Sequence, residues 1–308
     1  MIKKYVSYCL LFLVPVVLIY TGIEYLTRDI KNSQRVISNY LNEQEDLIEV
    51  LVLGASQNQS AVNPEYLDAS AINLASGHQD YRTDFALLSQ LSPRLPRLTT
   101  VVIPMTFAHL DTRPNPTNYW KNRGYFYYYG VNNWDRSTYF KDKLLFLSNP
   151  SYYTDQIERY YIDKIRPDYN MFGYARSEAG SAFAKADYQP IAIQNIPLSI
   201  RNYENESYRF QNLKHLKQIL EFCSQKDIRI VVALTPVTQK HLKARNPKMV
   251  ARRDSILNTL QKEYDFTILD KENAEGYELQ DFANHNHLNS SGAEIFTQSL
   301  NKVIKNLN

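Results

Sequence analysis

Cysteine is nearly absent, with two residues in 308, Cys9 and Cys223. Cys9 falls in an apolar N-terminal run and Cys223 in a segment with helical spacing. They are not expected to pair, because one of them would sit in lipid. This excludes a small disulfide scaffold without fixing the compartment. Net charge is also scarce: 35 Lys and Arg stand against 32 Asp and Glu, a formal +3. No basic block stands out, which argues against nucleic acid as a partner. The Gly-x-Gly-x-x-Gly run of dinucleotide sites is missing, Gly54 alone is no fingerprint, and no cofactor is expected. His285-x-His287 has metal-like spacing on a strand, but no third ligand stands at a sensible distance, so no metal is expected.

The length suffices for one large domain or two small ones. Tyr5 to Ile23 runs without a charge, long enough to cross a bilayer at about 1.5 Å per residue. It ends at Gly22-Ile23-Glu24 with neither an Ala-x-Ala cleavage site nor a lipobox cysteine. Residues 1–25 therefore read as an uncleaved, single-pass signal anchor, in which Pro15 is tolerable. Lys3 and Lys4 favour a cytoplasmic N-terminus, yet Arg28, Lys31 and Arg35 lie just past the span, so charge counting leaves the orientation open. Residues 26–46 are polar and periodic, with Ile30, Val36, Ile37, Tyr40 and Leu41 apolar. They read as a helix or stalk that lifts residues 47–308 from the membrane.

Beyond residue 46 the pattern alternates. Leu47 to Leu53 is an apolar run broken only by Glu49, as expected of a buried parallel strand. Further strands are predicted at Ala71 to Leu74, Thr99 to Pro104, Asp227 to Leu234 and Phe266 to Leu269. Helices are predicted at Tyr81 to Leu91, Gln211 to Gln225, Met249 to Tyr264 and Ser291 to Asn306, the last with Ser290 as its N-cap. Strand alternating with helix argues an α/β fold with a doubly wound parallel sheet. Residues 108–209 differ. They hold 15 of the 24 tyrosines and both tryptophans, without long buried strands. They read as a largely helical insertion between the third and fourth strands. Most of its rings should form the insertion's own core. The block Gly124 to Gly130 is the densest candidate for rings exposed to stack on sugars.

Two motifs carry chemistry. Gly54-Ala55-Ser56 ends the first strand and places a serine on the turn after it. Asp281-Phe-Ala-Asn284-His285-Asn286-His287-Leu288-Asn289 ends in an imidazole just before the last helix. A serine at a strand end and a distant histidine are the two halves of a nucleophile and its base. Ser56 would attack an ester or thioester carbonyl and His287 would take its proton. Serine after a strand is also a common turn residue, and His78 and His109 are more often ordinary polar residues than catalytic ones.

Together these residues resemble the SGNH/GDSL hydrolase superfamily over about residues 47–107 and 210–305. Gly54-Ala55-Ser56 resembles its serine turn, and His287 fits the histidine of its Asp-x-x-His block. The tail His287-Leu288-Asn289-x-x-Gly292-Ala293 is similar to the membrane-anchored branch that acylates envelope polysaccharides, including alginate-acetylation and teichoic-acid D-alanylation proteins. The resemblance implies a three-layer, flavodoxin-like fold outside the cytoplasm, periplasmic or at the cell surface. It implies a serine O-acyltransferase or esterase acting on an envelope or secreted polysaccharide. A polytopic membrane acyltransferase is implied as acyl supplier. Gly77 is implied as a backbone oxyanion donor beside Ser56. Asn284 stands where the family has aspartate, and would orient His287 through its amide oxygen. The family's Gly-x-Asn-Asp block is absent, Pro104-Met105-Thr106 standing in its place. Gln57, His78, Thr106, Asp281 and His285 are candidates for the surrounding cleft. The alternative is a catalytically silent carbohydrate-binding or assembly protein on the same fold.

Overall fold

The computed structural model describes residues 2–175 and 180–307. In chain order the elements are α1 (Ile2–Asp29), α2 (Ser33–Gln44), β1 (Val50–Val52), α3 (Ser56–Ala61), β2 (Ala71–Asn73), α4 (Tyr81–Leu91) and β3 (Thr100–Pro104). Next come α5 (Asn122–Tyr129), α6 (Pro150–Ile157), α7 (Pro190–Asn195), α8 (Glu206–Gln225) and β4 (Arg229–Leu234). The chain ends with α9 (Gln239–Ala244), α10 (Pro247–Glu263), β5 (Thr267–Asp270), β6 (Phe282–Asn284), β7 (His287–Leu288) and α11 (Ser290–Leu307). They group into two compact units: Met1–Gln34 with Thr117–Pro167, and Arg35–Pro116 with Asp168–Asn308.

The second unit holds a five-stranded, all-parallel sheet in the order β2-β1-β3-β4-β5. The strands are short, but nearly every position in β1 to β4 is buried. Side chains alternate across a sheet. Val50, Val52, Val102, Val231 and Ala233 share one core with Phe296, Leu300 and Ile304 of α11. Leu51, Val101, Ile103 and Val232 point the other way and are equally buried. Both faces are therefore covered, which is why these strands read as continuous apolar runs. Each fully buried α11 side chain contributes roughly 2 kcal/mol. The strand order changes direction between β1 and β3, and in such sheets the crevice at the carboxyl edge of that point receives ligands. Ser56 follows β1 there.

Two glycines fix this geometry. Gly54 has φ +114°, and a Cβ on it would stand 2.4 Å from Cγ of Pro104 on the neighbouring strand. A Cβ on Gly292 would meet the carbonyl oxygen of Asp281 at 2.2 Å, so only glycine lets α11 start against that backbone. The cap of α11 differs from expectation. Oδ1 of Asn289 accepts from Gly292 N at 3.1 Å, so Asn289 rather than Ser290 does the capping.

In the first unit α1 continues unbroken from the charge-free run into its polar extension. Glu24 is buried on it. Its carboxylate accepts from Leu145 N (2.8 Å) and Phe146 N (3.0 Å) and pairs with Arg28 at 2.8 Å. Tyr161 donates to the carboxylate of Asp29 at 2.8 Å. The block expected to offer rings to sugars is largely interior: Tyr125, Tyr128 and Tyr129 are buried, and Gly130 ends α5 in the left-handed conformation, φ +73°. Rings of this segment pack on one another, with Trp120 against Tyr152 and Tyr153.

Candidate active site

Ser56 opens α3, after Ala55 in an extended conformation. Its backbone N–H has no intrahelical acceptor at this position and makes no hydrogen bond among the described residues. The turn is held from behind. Asn58, fully buried, donates to the carbonyl of Leu53 at 2.8 Å. Asn73 at the end of β2 donates to Asn58 O and Val62 O at 3.1 and 2.7 Å. Gly54 N donates to Asp84 Oδ1 at 2.9 Å, and Gln79 donates to the same oxygen at 2.7 Å. Burial with no cation in contact pushes the Asp84 carboxyl up to about 7.

His287 arrives on a two-stranded antiparallel hairpin, β6–β7, in which it pairs with Asn284. Nε2 of His287 lies 2.8 Å from Oγ of Ser56. On its other side Nδ1 lies 3.0 Å from Oδ1 of Asn284 and 3.0 Å from Oδ1 of Asn286. The backbone N–H of Asn286 donates to Asn284 Oδ1 at 3.0 Å, which fixes that amide with its oxygen inward. Two acceptors at Nδ1 place the proton there and leave Nε2 with a lone pair facing the serine hydroxyl. Burial lowers the His287 imidazole to about 4, with no neighbouring charge opposing it. An aspartate at position 284 would supply that opposing charge.

The serine and histidine lie in a cavity of ≈ 720 Å³ whose walls include Gln57, His78, Thr106 and Asn286. Gly77 sits differently from the expected oxyanion donor, because its N–H donates to Oε1 of Gln59 at 3.1 Å. Asp281 and His285 lie away from the cavity. The Asp281 carboxylate accepts from Glu278 N and the Ser291 hydroxyl at 2.9 and 2.7 Å, tying the start of α11 to the turn before β6. His285 is buried between Thr238 Oγ1 at 3.0 Å and the carbonyl of Ile196 at 3.3 Å. It therefore does not share a site with His287, and among the described residues no three His, Cys, Asp or Glu side chains group as metal ligands.

Several wall residues had no local signal in sequence. Asn286 falls inside the motif around His287, where nothing in the sequence marks a role for it. Its amide shows as a second imidazole acceptor only once the hairpin turn is built. Arg245 and His241 reach the cavity from α9 and the loop after it. Arg245 pairs with Glu272 at 3.0 Å, and Arg253 holds the same carboxylate at 2.9 and 2.8 Å. Burial, then the Arg245 charge, lowers His241 to about 4. Such long-range cations carry no spacing that marks them beforehand.

No family model matches the chain, and no curated protein matches it. Among solved structures it is similar to a protein of Streptococcus pneumonia provisionally described as a platelet activating factor. The TM-score is 0.43 at 9% identity, with 94% of this chain and 98% of that one covered. It is also similar to a provisionally described acylhydrolase of Bacteroides fragilis, with TM-score 0.40, 10% identity and coverage of 88% and 96%. Superpositions this loose assign no role to any residue here.

Proposed function

We propose that this chain is a membrane-anchored serine O-acyltransferase or esterase of the SGNH type, acting on acyl groups of an envelope or secreted polysaccharide. One observation carries the reading: the 2.8 Å contact between His287 Nε2 and Ser56 Oγ at the carboxyl edge of a parallel sheet. The strand order 2-1-3-4-5, that of flavodoxin-like folds, supports the same class. As Oγ attacks the acyl carbonyl, Nε2 takes the hydroxyl proton. The ester C–O bond then breaks, His287 returns the proton to the leaving oxygen, and the acyl group stays on Ser56. A sugar hydroxyl in transfer, or water in hydrolysis, then gives its proton to His287 and takes the acyl group, and His287 hands that proton to the departing Ser56 oxygen. The Ser56 N–H is the oxyanion donor within the turn, and Gly77 becomes the second when Gln59 gives way. In this reading α1 is the anchor, the catalytic unit is extracytoplasmic, and a polytopic membrane acyltransferase supplies the acyl groups.

The test is turnover of a small acetyl ester together with acyl transfer to an oligosaccharide, by wild type and Ser56→Ala. Activity lost in the variant supports the enzyme. Equal background rates in both assays would favour a second reading, a silent carbohydrate-binding or assembly protein. Two observations favour that one: the amide at Asn284 and the engaged N–H of Gly77. Orientation is checked separately. Protease added to intact spheroplasts should digest residues 35–308, and full protection until lysis would overturn it.

A further inference from the structure

The stretch Thr117–Pro167 exposes what the second unit hides. Seven large apolar or aromatic side chains stand exposed on it, Phe140 at 80% and Ile162 at 72% among them, against five in the far longer second unit among the described residues. Contacts within the first unit fix where this stretch meets α1. The ring of Phe146 packs edge-on against Tyr20, centroids 6.4 Å apart, in the last turn of the apolar run. Leu145 N and Phe146 N bind Glu24 one turn further on. Arg28 donates to the carbonyl of Lys143 at 2.8 Å, and Tyr161 reaches Leu26 O at 3.2 Å and Asp29 at 2.8 Å. At 1.5 Å per residue these contacts cover roughly 14 Å of helix, starting where the charge-free run ends. That is the depth at which a spanning helix leaves hydrocarbon and crosses the headgroups.

Cations are interleaved with the exposed apolar groups. Lys141 and Lys143 lie between Phe140 and Leu147, and Lys164 and Arg166 flank Ile165, all exposed. Lys143 and Lys164 make no ion pair among the described residues, Lys141 only faces the Tyr139 ring at 5.9 Å, and Arg166 stacks on Tyr160 at 3.6 Å. Aromatic and aliphatic side chains alternating with unpaired cations suit the boundary between acyl chains and anionic headgroups.

We infer that Thr117–Pro167 is an interfacial platform: Phe140, Leu147, Ile162 and Ile165 enter the headgroup–acyl boundary, and Lys141, Lys143, Lys164 and Arg166 meet anionic headgroups. This rests on α1 spanning the membrane. Contact with α1 at the end of its apolar run and cations that lack a carboxylate partner among the described residues select lipid over a protein partner. The test uses the full chain in vesicles of phosphatidylcholine mixed with phosphatidylglycerol, on a Cys9→Ala background; Cys223 is buried and offers no thiol to label. Nitroxides go on Phe140→Cys, Leu147→Cys, Ile162→Cys, Leu11→Cys and Phe210→Cys, the last an exposed aromatic of the other unit. Oxygen concentrates in lipid and a nickel chelate in water, whereas burial in protein lowers access to both. The expected result is a raised oxygen-to-nickel accessibility ratio at positions 140, 147 and 162. It should be intermediate between Leu11→Cys and Phe210→Cys. Ratios equal to that of Phe210→Cys, with Leu11→Cys still shielded, would overturn the platform and leave the anchor standing. A nickel-accessible Leu11→Cys would remove the anchor and the platform together. Low access to both relaxants, with dipolar broadening between labels, would replace the lipid with a second copy of the chain and overturn the inference.

Discussion

Strands β1 to β4 of the second unit are buried along nearly their whole length, and buried polar side chains such as Asn58, Asn73 and Asp84 hold the turn where β1 ends. The first unit instead packs tyrosines on tyrosines around a helix and leaves rings exposed as well. The comparison teaches where chemistry can be held still. Ser56 and His287 sit on elements whose backbones are pinned by Asn58, Asn73, Asp84 and Asn289, so a 2.8 Å contact between residues 231 positions apart is sustained. In the first unit Glu24 is pinned in the same way, and what it holds is a loop.

The sharpest way to break the comparison is at the serine. Ser56→Ala should lower acyl turnover by about 10⁴-fold or more. Thermal stability should be unchanged, because Oγ makes no bond that the sheet needs. A variant with wild-type turnover would place the chemistry elsewhere. Gly54→Ala is next. Its Cβ meets Pro104 at 2.4 Å in a backbone conformation that L-residues avoid, so a loss of about 3 kcal/mol or more is expected in denaturant unfolding. A neutral result would mean that β1 and β3 separate more easily than their buried ladder implies.

The corresponding break in the first unit is Glu24→Ala. It strands the N–H groups of Leu145 and Phe146 and removes the carboxylate that Arg28 binds at 2.8 Å, for about 2–3 kcal/mol. The measurement is amide exchange at Leu145 and Phe146, which should quicken while the amides of β3 and β4 do not. These two residues also show what was legible in sequence. The five strands lay within two or three residues of their predicted limits, because a strand buried on both faces must be apolar throughout. Ser56 and His287 could be named because strand ends and the start of the last helix have local signatures. The role of Glu24 had none: its partners lie about 120 residues away, and an acidic residue at the end of an apolar run looks like a plain membrane flank. The aromatic stretch was equally opaque. Tyr125, Tyr128 and Tyr129 are interior and Tyr127 is not, a distinction that five consecutive aromatics cannot encode by periodicity.

The smallest effect sharpens the site itself. His287 carries its Nδ1 proton between two neutral amide oxygens, and burial holds the imidazole at about 4. The base form therefore persists to acid pH, and the acid limb of kcat/KM should fall near 4 rather than near the ordinary histidine value of about 6.5. A depressed folded-state value also has a stability consequence. The unfolded chain takes up this proton below about 6.5 while the folded one refuses it, so the contribution of His287 is full above that pH and is lost as pH falls toward 4. Asn284→Asp places a carboxylate on Nδ1. It should raise the imidazole value, move the acid limb upward, and reduce the stability lost between 6.5 and 4. Turnover near pH 7 should rise by about tenfold, since a charge stabilises the imidazolium of the transition state better than a dipole does. The two readouts separate two causes. A shifted limb without faster turnover would show that the carboxylate reaches the imidazole but that substrate positioning, not base strength, limits the rate. An unmoved limb would show that Asn284 does not orient His287 in solution, leaving Asn286 as the amide that does.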